Sequence, residues 1–278
     1  LLILACVLAA LARPSAAPPP PQPAAPEPVV QAHAVLTPAE SKRLIAKAVA
    51  QSPAVRKAMA SGMVIITRGT TNTYVAEEIL GRKIERGAFV SGRVYPAKGG
   101  HRLQPTQTLS DIVLINGKQA PDMTLADALQ KLKPGDVVIK GANALDYRRR
   151  TAGVLIGSSS SGTIGQVYPH VVARKATLII PVGLEKQIPG DIPSVSASLR
   201  EPIESLTPEP SMFPITGQII TEIEALDILS GVAAFQAAAG GIGGAEGAVW
   251  IVFRGPRDKV EAALKLVQSI QGEPPFAG

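Results

Sequence analysis

The stretch "VIITRGTTNTYVAEEIL" breaks an apolar run at Arg68 and Gly69, then sets Thr70, Thr71, Asn72 and Thr73 in a row before a helical pattern begins. A strand that passes through Gly69 into a helix leaves the first backbone N–H groups of that helix without intrahelical acceptors. Together with the helix dipole, such groups attract an anion. Gly69, Thr70, Thr71, Asn72 and Thr73 are therefore ligand-binding candidates, with donors suited to phosphate or carboxylate, and Arg68 adds charge. The competing reading is one capping Thr or Asn with the other side chains solvated.

A second concentration lies in "GDVVIKGANALDYRRRTAGVLIGSSSSGTIG". An apolar run ends in Lys140-Gly141-Ala142-Asn143, so Lys140, Gly141 and Asn143 bring an amine, an open backbone and an amide to a strand end. In open α/β sheets, ligands bind at the carboxyl ends of the strands. Farther on, Ser160, Ser161, Gly162 and Thr163 form a hydroxyl- and glycine-rich turn ahead of a helix, a second anion cradle. A snorkelling lysine and a flexible serine loop are the plain alternatives. Asp146 follows three residues after Asn143, and for Glu185, farther on, the plain reading is a surface pair with the adjacent Lys186.

The elements that must hold these residues alternate. Thr37-Pro38-Ala39-Glu40 reads as a capping box with proline at the first helical position, and ordered structure is expected to start there. A second short helix follows Ser52-Pro53. Residues 63–67 and 176–181 read as buried strands, being short β-branched runs without polar alternation. Strands are also expected over 88–95, 111–116 and 137–140, and helices after Thr124 and over 164–174. Turn formers crowd residues 191–215, and beyond them a strand at 218–223, a helical stretch at 232–239, a strand at 248–253 and a helix after Pro256 form a second unit. The expected fold class is α/β with a mainly parallel sheet and flanking helices, plus a small C-terminal α+β unit. The expected organisation is a signal-like and Pro/Ala-rich segment over 1–36, an α/β domain over 37–190, a connecting segment over 191–215 and the α+β unit over 216–278.

In this order, "ITRGTTNTYVAEEIL", "DVVIKGANALD" and "ARKATLIIPVGLEK" resemble the ribose-5-phosphate isomerase superfamily, which includes glucosamine-6-phosphate deaminases, coenzyme A transferases and sugar-sensing regulator domains. The resemblance spans roughly residues 60–190, and the small C-terminal unit is similar to the second domain of that isomerase. It implies a phosphate turn at 69–73, a substrate-facing strand end at 140–144 and a third at 184–186. Where the isomerase pattern has Asp-Gly-Ala-Asp, this chain has Lys140 and Asn143 in place of both carboxylates. Neither replaces a carboxylate base at neutral pH, so Asp146 and Glu185 are the remaining acid/base candidates.

Composition excludes other classes. The single cysteine, Cys6, rules out an internal disulfide and a cysteine-based metal site, and the three histidines (His33, His101, His170) lack ligand spacing, so no metal is expected. The net charge of +6 is scattered apart from "YRRR", which suits an anionic small molecule rather than nucleic acid. "GGIGG" lacks the context of a nucleotide-binding loop and reads as a plain loop, while "AKGGHR" reads as a turn. The apolar start "LLILACVLAALA" with the proline tract behind it resembles a signal peptide or membrane anchor, with a lipoprotein box at Cys6 and a misplaced gene start as alternatives. A genuine segment implies a secreted, periplasmic or membrane-anchored protein, with membrane contact through that segment alone. A misplaced start implies a cytoplasmic one. The functional expectation is binding of a phosphorylated or otherwise anionic small molecule at the sheet edge, as a sugar-phosphate or thioester enzyme or as a non-catalytic sensor, without a cofactor; homo-oligomerisation stays open.

Overall fold

The computed structural model describes residues 28–98, 102–207 and 210–276. The apolar start with Cys6, and Gly99, Gly100 and His101 of the "AKGGHR" turn, lie outside the described residues. The chain folds as β1 (Val30–Leu36), α1 (Pro38–Gln51), α2 (Pro53–Ser61), β2 (Met63–Ile66), α3 (Thr70–Leu80), β3 (Ile112–Ile115), β4 (Lys118–Gln119), α4 (Leu125–Gln130) and β5 (Val137–Ile139). There follow β6 (Ala144–Asp146), β7 (Thr151–Ile156), α5 (Gly162–Arg174), β8 (Thr177–Pro181), a 3-10 turn (Leu184–Lys186), α6 (Ile192–Ser198), β9 (Ser211–Ile215), β10 (Gln218–Ile220), α7 (Glu222–Ser230), β11 (Ala233–Ala239), β12 (Val249–Gly255) and α8 (Arg257–Ile270).

The central sheet has six strands in the order β10-β8-β5-β2-β3-β4. β10, β8, β5 and β2 run parallel, and β3 and β4 add an antiparallel edge. Every residue of β2 and β5 is buried, which explains why their sequences carry no polar alternation. Their starting ends are tied by Asp136, whose Oδ1 accepts from the Met63 N–H at 2.8 Å and whose Oδ2 accepts from the Lys133 N–H at 2.9 Å. Helix α1 starts at the capping box, with Thr37 N–H donating to Glu40 at 2.8 Å and Glu40 N–H to Thr37 Oγ1 at 3.4 Å. It packs against α3 and α7.

Three expectations are corrected. Ordered structure begins before Thr37: residues 30–36 pair antiparallel with β12 along their whole length. Alternation over this stretch, with Ala34 and Leu36 turned into the core, is a strand signal that the preceding proline tract masks. Residues 233–239 are strand β11 rather than helix, because pairing with β12 overrides the helix propensity of alanine. Residues 88–95 form turns, not a strand, and deliver Phe89 to the core and its carbonyl to Gly69.

The C-terminal strands and helices share one continuous buried cluster with the central sheet, running from Ala34 and Leu36 through β2, β5 and β8 to Val260 and Ile270. The segment 191–215 also contributes structure: α6 covers β9, and β9 completes a three-stranded antiparallel sheet, β6-β7-β9, beside the central one. Among the described residues no helix is long and apolar enough to cross a membrane.

Candidate functional site

The parallel strands deliver Thr67, Lys140, Pro181 and Thr221 to one edge of the sheet, where their carboxyl ends stop. At the end of β2, the polar run is turned inward. Asn72 is fully buried, and its Nδ2 donates to the Thr67 carbonyl at 2.7 Å and to the Ile139 carbonyl at 3.2 Å. Thr73 Oγ1 donates to the Gly69 carbonyl at 2.9 Å and to the Phe89 carbonyl at 3.3 Å, and the Gly69 N–H donates to Phe89 at 3.0 Å. Arg68 is held by Asp111, which accepts from its backbone N–H at 2.8 Å. Thr71 is buried, with its hydroxyl unpartnered. This hydrogen-bonding capacity mostly locks the end of β2 to β5 and to the 88–95 turns. The expectation of ligand binding at this corner is therefore corrected for the cavity that the second corner forms: none of Gly69, Thr70, Thr71, Asn72 and Thr73 lines it.

That cavity has a volume of about 490 Å³. Its polar walls are Lys140, Asn143, Ser158, Ser161, Gly162 and Thr163, and its apolar walls are Val94, the end of β7 (Val154, Leu155, Ile156), Ile164 and Pro210. Ser91, Gly92 and Arg93 close one side. Four of the expected ligand residues, Asn143, Ser161, Gly162 and Thr163, thus meet in addition to Lys140, while Gly141 and Ser160 stay outside the lining. Gly141 sits between strand ends, and a Cβ built on it would lie 3.8 Å from Asn72 Oδ1 and from the Pro181 carbonyl. Ser160 turns back on Ser158, with their hydroxyls 3.0 Å apart.

Each polar wall has a local cause. Lys140 is held by the parallel ladder, its N–H donating to the Ile179 carbonyl at 3.0 Å, and among the described residues its ammonium reaches only the Gly141 carbonyl, at 3.0 Å. Burial, with a further contribution from the positive charge of Lys186, lowers its pKa to about 8, and Asp111 offsets this in part. Asn143 Oδ1 accepts from the Leu155 N–H at 3.0 Å, so the hairpin β6–β7 fixes the amide with its nitrogen free of protein partners among the described residues. At the start of α5, Ser161 and Gly162 are both left-handed, with φ of 61° and 55°. Gly162 suits that conformation because it has no Cβ. The turn presents the unpaired first N–H groups of a 13-residue helix beside the hydroxyls.

The two carboxylates expected to do acid/base work do not reach this cavity. Asp146 caps the β6–β7 turn: it accepts from the Arg149 N–H at 3.0 Å and from Arg149 Nη1 at 3.0 Å. These bonds, the backbone one foremost, hold its carboxyl below the usual range. Glu185 folds back on its own turn, so close to Gly183 that a Cβ there would collide with its Oε2. It pairs with Lys42 at 3.5 Å. Lys186 turns the opposite way and donates to the Ala142 carbonyl at 2.9 Å, and burial lowers its pKa.

Sequence reasoning missed Glu222, Arg93 and the Ser91-Gly92 turn. Glu222 is fully buried at the end of β10, and its Oε2 accepts from the Leu184 N–H at 2.9 Å. Burial, and then the charge of Glu185, push its pKa up to about 7. Its signal was the pattern "ITEIE", an acidic residue inside a capping box directly after a strand. Arg93 was hidden by the reading of 88–95 as a strand, although Ser91-Gly92 is a turn signal.

No protein-family model, no curated protein and no solved structure matches the chain.

Proposed function

We propose that the protein binds a phosphorylated or otherwise anionic small molecule in the cavity between Lys140, Asn143 and the start of α5. The observation that carries this reading is the convergence of an ammonium group without an ion-pair partner among the described residues, a free amide, three hydroxyls and a helix N-terminus on one hollow. A dianionic group replaces water around Lys140 with a charge-assisted partner, and the first N–H groups of α5 supply further donors. Kinship with the ribose-5-phosphate isomerase superfamily is supported by the placement of the three quoted motifs at the carboxyl ends of β2, β5 and β8, three adjacent parallel strands.

Between an enzyme on sugar phosphates or thioesters and a non-catalytic sensor, the second reading is favoured by one feature. The described walls of the cavity contain no carboxylate, so no general base of that type faces a bound sugar.

Thermal shifts with inorganic phosphate, sugar phosphates, nucleotides and coenzyme A test the binding. A ligand at a hundredfold excess over its Kd stabilises by about 2.7 kcal/mol. At this chain length that is a rise in Tm of roughly 5–10 °C. Lys140→Met is expected to abolish the shift. The absence of a shift with every anion in the wild-type protein would end the reading.

A further inference from the structure

We infer that Lys140 is a nucleophile that forms a reversible imine with the aldehyde or keto group of an anionic ligand seated in the cavity. This rests on the binding reading above and narrows it to carbonyl-bearing anions.

The geometry distinguishes Lys140 from a lysine that merely supplies charge. Its amine projects from the rigid end of β5 into the hollow, where the described walls offer no carboxylate to hold it protonated. Its one protein partner among the described residues is the Gly141 carbonyl, which can accept from the neutral amine as well as from the ammonium and adds no anionic charge. The nearest cation is Lys186, whose ammonium is fixed at the carbonyl of Ala142, two residues along. Asp111 acts in the opposite sense, and it accepts from the Arg68 N–H at 2.8 Å. Desolvation beside a cation is a known way to make a lysine nucleophilic near neutral pH. With the pKa lowered to about 8, the neutral amine is far more abundant near neutral pH than in an ordinary lysine.

The step balances without a co-reactant. The nitrogen lone pair attacks the carbonyl carbon, and a proton moves from nitrogen to oxygen to give a carbinolamine. That oxygen then leaves as water while the C=N bond forms. Hydrolysis reverses each step. Val154 and Leu155 give the hollow an apolar wall, while Ser161 and Thr163 line it for the anionic group.

The test uses pyridoxal 5′-phosphate, which carries both an aldehyde and a phosphate, followed by borohydride reduction and peptide mass spectrometry. The expected result is about one adduct per chain, at Lys140, with labelling reduced at least tenfold by excess inorganic phosphate. Lys140→Arg should keep the thermal shift with inorganic phosphate and lose the adduct, whereas Lys140→Met should lose both. Labelling spread over exposed lysines such as Lys57 and Lys118, without preference for Lys140, would overturn the inference. If phosphate still shifts the melting curve in that case, the binding reading stands and only the imine fails. If Lys140 is labelled but phosphate neither protects it nor shifts the curve, the anion site fails and the inference with it, because the adduct then needs no seated anion.

Discussion

Glu222 and Lys140 lie at the same sheet edge, and burial disfavours the charged form of each. For Glu222 the folded pKa, about 7, lies above the ordinary carboxylate value. The folded state therefore holds the proton more tightly than the unfolded state between about pH 4.5 and 7, and stability falls as pH rises through that window. Glu185 opposes the charge directly, while Lys186 partly compensates it. Glu222→Gln keeps an acceptor for the Leu184 N–H but cannot ionise. Urea unfolding is expected to show the variant more stable by on the order of 1–3 kcal/mol at pH 8 and equal to the wild type near pH 4.5. A gap that is independent of pH would contradict this assignment. Glu222 was hidden by the reading of 218–223 as a strand, and its opposition to Glu185 was not legible because the two follow strand ends brought together only by the parallel pairing of β8 and β10.

At the level of the element, the junction of β2 and α3 shows how local chemistry and local role separate. Thr67, Asn72 and Thr73 have the donors an anion site needs, and their acceptors turn out to be backbone carbonyls of β2 and β5 and of the 88–95 turns. Asn72→Ala removes a buried donor from the carbonyls of Thr67 and Ile139. It is expected to lower the unfolding free energy by about 1–3 kcal/mol, read from the urea midpoint. The Kd for phosphate in the folded variant should stay within about twofold, because this junction does not line the cavity. The hairpin β6–β7 has the opposite relation. Its Asn143 was read as a ligand residue, and the same side chain also holds the strand, through Leu155.

Over the whole molecule, α1, α3 and the segment after α8 are joined around a buried cation. Arg43 on α1 contacts Glu77 at 2.6 Å and Glu78 at 2.8 Å on α3, and Glu273 beyond α8 at 2.9 Å. Its guanidinium also lies over the Tyr74 ring, 4.6 Å from the centroid. Nearby, Glu40 of α1 accepts from the Gly272 N–H at 2.8 Å. Arg43→Ala leaves Glu77 buried without its closest partner, a change expected to cost about 3–5 kcal/mol at pH 7. Burial resists ionisation of Glu77, but the Ile84 N–H and Arg43 outweigh it and hold its pKa below the ordinary value. The contribution is thus fully present above the unfolded pKa and lost as pH falls through the folded one. Thermal melts should accordingly show the gap between wild type and variant narrowing in acid. A full gap persisting at pH 3 would mean that packing, not charge, is what Arg43 supplies.

Local patterns were sufficient for much of the framework. The buried runs became β2, β5 and β8, Thr37 and Glu40 formed their capping box, and Lys140, Asn143 and the serine turn reached one sheet edge. These features depend on neighbours a few residues away, which a linear chain displays. The direction in which each polar group faces depends on strands far apart in the chain. Pairing with β12 made residues 30–36 and 233–239 strands, and contact with the 88–95 turns occupied the first polar corner while leaving the second open. Side-chain identity states what a group is able to bind; only the folded arrangement states whether protein or solvent stands opposite it.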